Sequence, residues 1–182
     1  MSGIIIYKSK YGASKKYAEW ISEETGFQIK ELSEVTKLDF AKYDTLIFGS
    51  GIYMSKLVIS DLIEKNHELL TNKNLIAFGV GSCPFNEENI KTIINNSFEY
   101  FKDIPFFYCR GIIHVNNMKF MDKVLCKMLQ KVIAKKPPEE RTLLEDTIAT
   151  SGLELNDWTE KKHIDPIINK IEEFTYSIKQ LD

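Results

Sequence analysis

Five short runs rich in β-branched and aromatic residues, 4–7, 27–32, 45–48, 75–80 and 105–109, recur along the chain and read as strands. The segments between them carry a different period. Residues 14–25 place Tyr17, Ala18, Trp20 and Ile21 at helical spacing, 60–70 and 86–101 behave similarly, and 164–178 closes the chain as a helix. The middle strands are almost continuously apolar rather than alternating, which predicts a sheet covered on both faces, hence a parallel sheet between helix layers. The expected fold class is therefore α/β, a doubly wound five-stranded parallel sheet. Residues 110–160 are too long for a connecting loop and contain their own helix-like stretch at 118–136, followed by Pro137-Pro138. They are read as a helical insertion after the fifth strand of a single domain spanning 1–182.

Length and composition agree with one globular unit. A chain of 182 residues buries roughly 70% of its unfolded surface, and 43% hydrophobic with 27% charged residues is ordinary for a soluble protein. The N-terminal Met1-Ser2-Gly3-Ile4-Ile5-Ile6-Tyr7 has no basic leader, and no later run approaches the length of a membrane span, so a cytoplasmic location is expected. Cys83, Cys109 and Cys126 are odd in number and form no C-x-x-C or His/Cys cluster, so all three are read as thiols and no metal site is expected.

Candidate chemistry begins where the first strand ends. Ser9-Lys10-Tyr11-Gly12-Ala13-Ser14 leads directly into a helix, bringing hydroxyls, a permissive glycine and free backbone N–H groups to a helix N-terminus. Such an end attracts anions. With no G-x-x-x-x-G-K-[ST] and no G-x-G-x-x-G, a monophosphate fits better than a triphosphate or a dinucleotide. The plainer reading, that Ser14 is an N-cap and Gly12 a turn residue, stands beside it.

In this arrangement the chain resembles the flavodoxin family, in which a hydroxyl-rich loop after the first strand wraps the phosphate of FMN. Two further segments agree: Gly49-Ser50-Gly51-Ile52-Tyr53 after the third strand, and Gly79-Val80-Gly81-Ser82-Cys83-Pro84 at the end of the fourth. The resemblance implies a sheet of order 2-1-3-4-5, non-covalent FMN, and an isoalloxazine ring cradled by these two loops. The implied cofactor contacts are Ser9, Lys10, Tyr11, Gly12, Ala13, Ser14, Ser50, Gly51, Ile52, Tyr53, Gly81, Ser82 and Cys83. The chemistry would then be flavin-centred, with no catalytic side chain. Tyr53 either stacks on the ring or packs over a loop; Cys83 is read first as a small buried hydrophobe and His114 as a packed or solvated imidazole. Gly49-x-Gly51-Ile52-Tyr53, with Asp122-Lys123 and Asp157-Trp158, is further similar to the flavodoxin-like protoporphyrinogen IX dehydrogenases. That implies an FMN-dependent oxidoreductase taking a bulky substrate and a quinone-type acceptor; the alternative is an electron carrier between redox partner proteins.

Charge sharpens the reading of the insertion. Residues 110–141 hold eight basic and three acidic residues, net +5 in a chain of net −2, so the remainder carries −7. Lys119, Lys123, Lys127, Lys131 and Lys135 recur every four residues, with Phe120, Met121, Val124, Leu125, Met128, Leu129, Val132 and Ile133 beside them. Such a basic amphipathic helix packs on the domain, docks an acidic partner, or lies peripherally on the inner face of an anionic membrane. Nucleic acid is not an expected partner, because the basic stripe is one short helix on a net acidic chain.

Overall fold

A computed structural model describes residues 2–152 and 155–179, so both ends of the expected 1–182 unit lie outside the described residues. In chain order the first half comprises β1 (Gly3–Lys8), α1 (Ala13–Thr25), β2 (Gln28–Glu31), α2 (Lys37–Lys42), β3 (Thr45–Tyr53), β4 (Lys56–Leu57), α3 (Ser60–Lys65) and α4 (His67–Leu70). The second half comprises β5 (Asn74–Gly81), α5 (Glu87–Ser97), β6 (Phe106–Arg110), β7 (Ile112–His114), α6 (Phe120–Ile133), α7 (Leu143–Ser151), β8 (Leu155–Asp157) and α8 (Asp165–Lys179). Five strands pair in parallel in the order β2-β1-β3-β5-β6, the expected doubly wound arrangement.

The apolar runs explain why the sheet lies in the middle. Ile4, Ile6, Leu46, Phe48 and Ala77 face a core completed by Phe40 of α2, Ile63 of α3, Leu70 of α4 and Phe98. Their chain neighbours Ile5, Tyr7, Ile47, Ile76 and Phe78 point the opposite way, against Tyr17, Ala18 and Ile21 of α1 and Ile167 and Ile171 of α8. Successive side chains alternate across a strand, so a strand apolar at every position requires helices on both faces.

Several expected boundaries change. The third strand does not stop at Phe48: the parallel ladder runs on through Gly51 opposite Val80, and the chain then folds back as an antiparallel hairpin with β4. The expected helix over 60–70 breaks at Asn66, whose side-chain amide donates to the Leu62 carbonyl at 2.8 Å. The helix expected over 86–101 begins after Asn86, whose side chain accepts from Asn89 N, and ends at Ser97, where Phe98 turns extended and buries itself. Helix α2 has only six residues, too few for periodicity to reveal, and is fixed by Thr36 and Asp39 capping each other.

The insertion is not purely helical. β7 and β8 pair antiparallel, Ile112 opposite Asp157, and the short helix α7 follows α6. Ile113, Val115, Ile133 and Ile148 form a third, small core with Met118, Cys126, Leu129 and Trp158 packed on it. It is tied to the main sheet by Trp158 N donating to the Gly111 carbonyl at 3.1 Å and Gly111 N donating to the Gly81 carbonyl at 2.7 Å.

Candidate functional site

The strand order reverses between β1 and β3, and the crevice at such a point, beyond the strand C-termini, is where open α/β sheets bind ligands. A cleft of about 670 Å³ lies there, within the range that holds drug-sized ligands and cofactors. Its walls come from the β1–α1 turn, the β3–β4 hairpin, the end of β5 and the first residues of the insertion.

At one end stands the N-terminus of α1. Gly12 is its N-cap with φ of 93°, a left-handed conformation that favours glycine, so the cap has no side chain to bond the first amides. The first intrahelical bond is Lys16 N to the Gly12 carbonyl at 2.9 Å. No acid lies in the first turn, which instead carries Lys15 and Lys16. Cations beside the positive end of a helix dipole are unfavourable, and an anion at this end offsets them. Ser9 shapes the turn by accepting from Gly12 N at 3.1 Å, and Ser14 is buried on the cleft wall. The lining includes Lys8, Lys10 and Lys119 with Glu31 as its acidic residue, so the cleft is cationic.

Lys10 and Tyr11 are held from across the cleft. Both bond to the Asp122 carboxylate on α6, Tyr11 through its hydroxyl and Lys10 as an ion pair. The Lys10 contact, then the Tyr11 hydrogen bond, holds the Asp122 carboxyl below the usual range, while Lys10 is raised chiefly by Asp122. Lys10 Nζ also lies 5.4 Å from the centre of the Tyr53 ring. The chain Tyr53–Lys10–Asp122 thus joins the hairpin, the phosphate-type turn and the insertion helix.

At the other end, Gly51, Ile52 and Tyr53 of β3 meet Val80, Gly81 and Ser82. Ser50 is turned away: fully buried, it accepts from Ile59 N at 3.1 Å and donates to the Gly51 carbonyl at 3.1 Å, fixing the hairpin. Cys83 does not line the cleft either; its carbonyl accepts from the Tyr108 hydroxyl at 2.6 Å, and burial pushes its thiol up. Of the thirteen residues singled out from sequence, Ser9, Lys10, Tyr11, Ala13, Ser14, Gly51, Ile52, Tyr53, Gly81 and Ser82 share this cavity, while Gly12, Ser50 and Cys83 do not line it.

One wall is made by residues that the sequence did not single out. Gly111, Ile112, Ile113, Met118 and Lys119 close the cleft from the insertion, and Val58 and Val80 add to its apolar surface. A Cβ at Gly111 would sit 2.8 Å from Val80 Cγ1, so glycine is what lets the insertion cross so close to β5. Arg110 was also missed. Its guanidinium lies 4.5 Å over the Trp158 ring and donates to the Ser82 carbonyl at 3.3 Å, placing a buttressed positive charge behind that loop, and its buried Nε has no hydrogen-bond partner among the described residues. The pairing of Arg110 with a tryptophan 48 positions later carries no local signal.

Solved structures similar to the chain include a WrbA-like flavodoxin from Agrobacterium tumefaciens, 14% identical over 67% of this chain and 87% of the other, with a TM-score of 0.46. A flavoprotein from Lactobacillus acidophilus NCFM, solved in complex with FMN, is 18% identical over 60% and 91%, with a TM-score of 0.43. A flavodoxin from the Archaea is 18% identical over 74% and 97%, with a TM-score of 0.40. No curated protein matches the chain. Residues 4–140 match the flavodoxin domain family, a span that runs from β1 through the turn at α1, both glycine-containing strand ends and into the insertion, and the chain belongs to that family.

Proposed function

We propose that this protein binds FMN non-covalently in the cleft and works as an FMN-dependent oxidoreductase. The observation that carries the reading is the N-terminus of α1, capped by a glycine and free of acids, opening into a cationic cleft at the sheet's switch point. The phosphate would be held by the first amides of α1 with Ser9 and Ser14, and the ring by the ends of β3 and β5 with Tyr53. Once bound, FMN supplies one- and two-electron redox chemistry. The chain's own part is to bind it and govern access. Lys10 and Tyr11, fixed by Asp122, form part of its lining, and Ile112, Ile113 and Met118 exclude water from the insertion side.

Within that reading the substrate is a bulky reduced molecule of the protoporphyrinogen IX kind and the acceptor a quinone, as the resemblance implies. An insertion that walls the cleft supports a defined substrate site more than the open acidic face of a carrier protein. The rim lysines point the same way, since carriers of that kind attract partners with negative charge.

Titrating apo-protein with FMN and following flavin fluorescence tests the cofactor. Wild type takes up one equivalent at micromolar concentration, and Ser9→Asp and Ser14→Asp, each setting a carboxylate against the phosphate, bind roughly tenfold or more weakly. Folded protein without uptake would overturn the proposal. Anaerobic turnover of protoporphyrinogen IX with a quinone tests the substrate; reduction only by flavodoxin-reductase partners would assign the carrier role instead.

A further inference from the structure

Helix α6 has three sides. At 100° per residue, Cys126, Leu129 and Ile133 share the side packed on the insertion core, together with Asp122, the helix's sole acid, which is engaged by Lys10 and Tyr11. Phe120, Val124, Met128, Met121, Val132 and Leu125 fall on a second arc of about 140°. All six are solvent-facing, between 39% and 77% exposed. Lys123 and Lys127 take the third side, Lys131 lies at its border with the apolar arc, between Phe120 and Val124 in projection, and Lys135 follows just beyond the C-terminus. Thus most of the helix's apolar side chains are left uncovered, and it shows water an apolar arc bordered by a row of cations. Contiguous exposed apolar surface of this kind marks an interaction site.

We propose that this face of α6 docks on the surface of an anionic phospholipid bilayer. Charge and residue type both select that occupant. Residues 110–141, the part of the insertion that contains α6, carry net +5, and the helix presents no free carboxylate, which matches a negatively charged surface. The cations of α6 are all lysines and its one aromatic is Phe120. Protein-docking surfaces instead favour arginine and several aromatics and are depleted of lysine. Lysine stems lie along apolar surface while the ammonium stays at the headgroups, and Met, Leu and Val enter the acyl boundary without needing a shaped groove. A second copy of the chain would bring two lysine rows together. Docking also has a consequence for the cleft: Met118 and Lys119 line it and Phe120, the next residue, begins the apolar arc, so docking would bring the insertion-side wall of the cleft close to the bilayer surface.

Flotation tests this on the full chain, with and without FMN, using vesicles of phosphatidylcholine alone or mixed with phosphatidylglycerol. Wild type floats with the anionic vesicles, less at high salt and little with the neutral ones. Leu125→Ser/Met128→Ser lowers partitioning at least about tenfold, and each of Lys127→Glu and Lys131→Glu lowers it roughly fivefold or more. These positions are exposed, so the thermal midpoint stays at the wild-type value. Absence of flotation at low ionic strength, or equal flotation of the variants, overturns the proposal. So does a wild-type dimer by light scattering that becomes monomeric in Leu125→Ser/Met128→Ser, which would give the face to a second copy. Flotation does not require FMN, so failed flavin uptake and failed docking are separate results.

Discussion

Met54 and Ser55 turn the β3–β4 hairpin with φ of 47° and 56°, left-handed values that asparagine and glycine adopt more readily. The turn survives because neighbours hold it: Asn96 donates to the Ser55 carbonyl at 3.1 Å and Leu57 N donates to Ser97 Oγ at 2.9 Å. Ser55→Gly therefore relieves strain and raises stability by about 1 kcal/mol in urea denaturation, while leaving Tyr53 at the cleft. A second residue-scale effect lies at Tyr17, fully buried, whose hydroxyl donates to the Arg110 carbonyl at 2.7 Å and accepts from Glu160 N at 3.3 Å. With its one proton on Arg110, it accepts from His163 Nδ1 at 2.7 Å, which sets that imidazole's tautomer. Tyr17→Phe strands these groups and costs roughly 1–3 kcal/mol in the same measurement. Burial pushes the Cys109 thiol up to about 12, so a thiol reagent at neutral pH modifies it only after denaturation, with Cys83 and Cys126 reacting first.

Among the elements, the insertion carries a pH dependence of its own. Glu145 at the start of α7 accepts from Lys136 at 2.8 Å and from Thr142 N at 2.7 Å, and Thr142 Oγ1 accepts from Glu145 N in return. The Lys136 contact first, then the Thr142 amide, lower its carboxyl from 4.5 to about 2. A depressed carboxylate pKa gives stability that is complete above the unfolded value and lost as pH falls through the folded one. Amide exchange in α7 consequently accelerates as pH drops from about 4.5 toward 2, beyond its intrinsic trend, and Glu145→Gln removes that dependence. The same segment shows how little periodicity says of burial: eight apolar positions at helical spacing in α6 fit a core, a partner or a membrane surface alike, and the small insertion core covers only Leu129 and Ile133 of them.

For the molecule as a whole, cofactor and stability are linked. A ligand that binds only the folded chain stabilises it by about 2.7 kcal/mol at a hundred times its dissociation constant. For a domain of this size that is a rise of roughly 5–11 °C in thermal midpoint. Saturating FMN should produce such a shift by calorimetry, and riboflavin, lacking the phosphate, a smaller one; equal shifts would remove the phosphate end of the cleft from the account.

Unbroken apolar strand runs and helical period are local properties, and they were enough to determine the doubly wound sheet, its covering helices and the turn Ser9–Ser14 at the end of β1. Each of these follows from interactions within a few residues or from apolar content that admits one burial scheme. What faces the cleft was decided only in three dimensions. Ser50 and Tyr53 lie three positions apart on one strand, yet one is consumed by hairpin hydrogen bonds and the other opens on the cavity. Asp122 meets Lys10, and Trp158 meets Arg110, across long stretches of chain. Such pairings depend on the path of the insertion over β5, and no spacing in the sequence encodes that path. The helical period likewise reports which side chains share a face, but burial of that face depends on how much surface the rest of the fold has to offer.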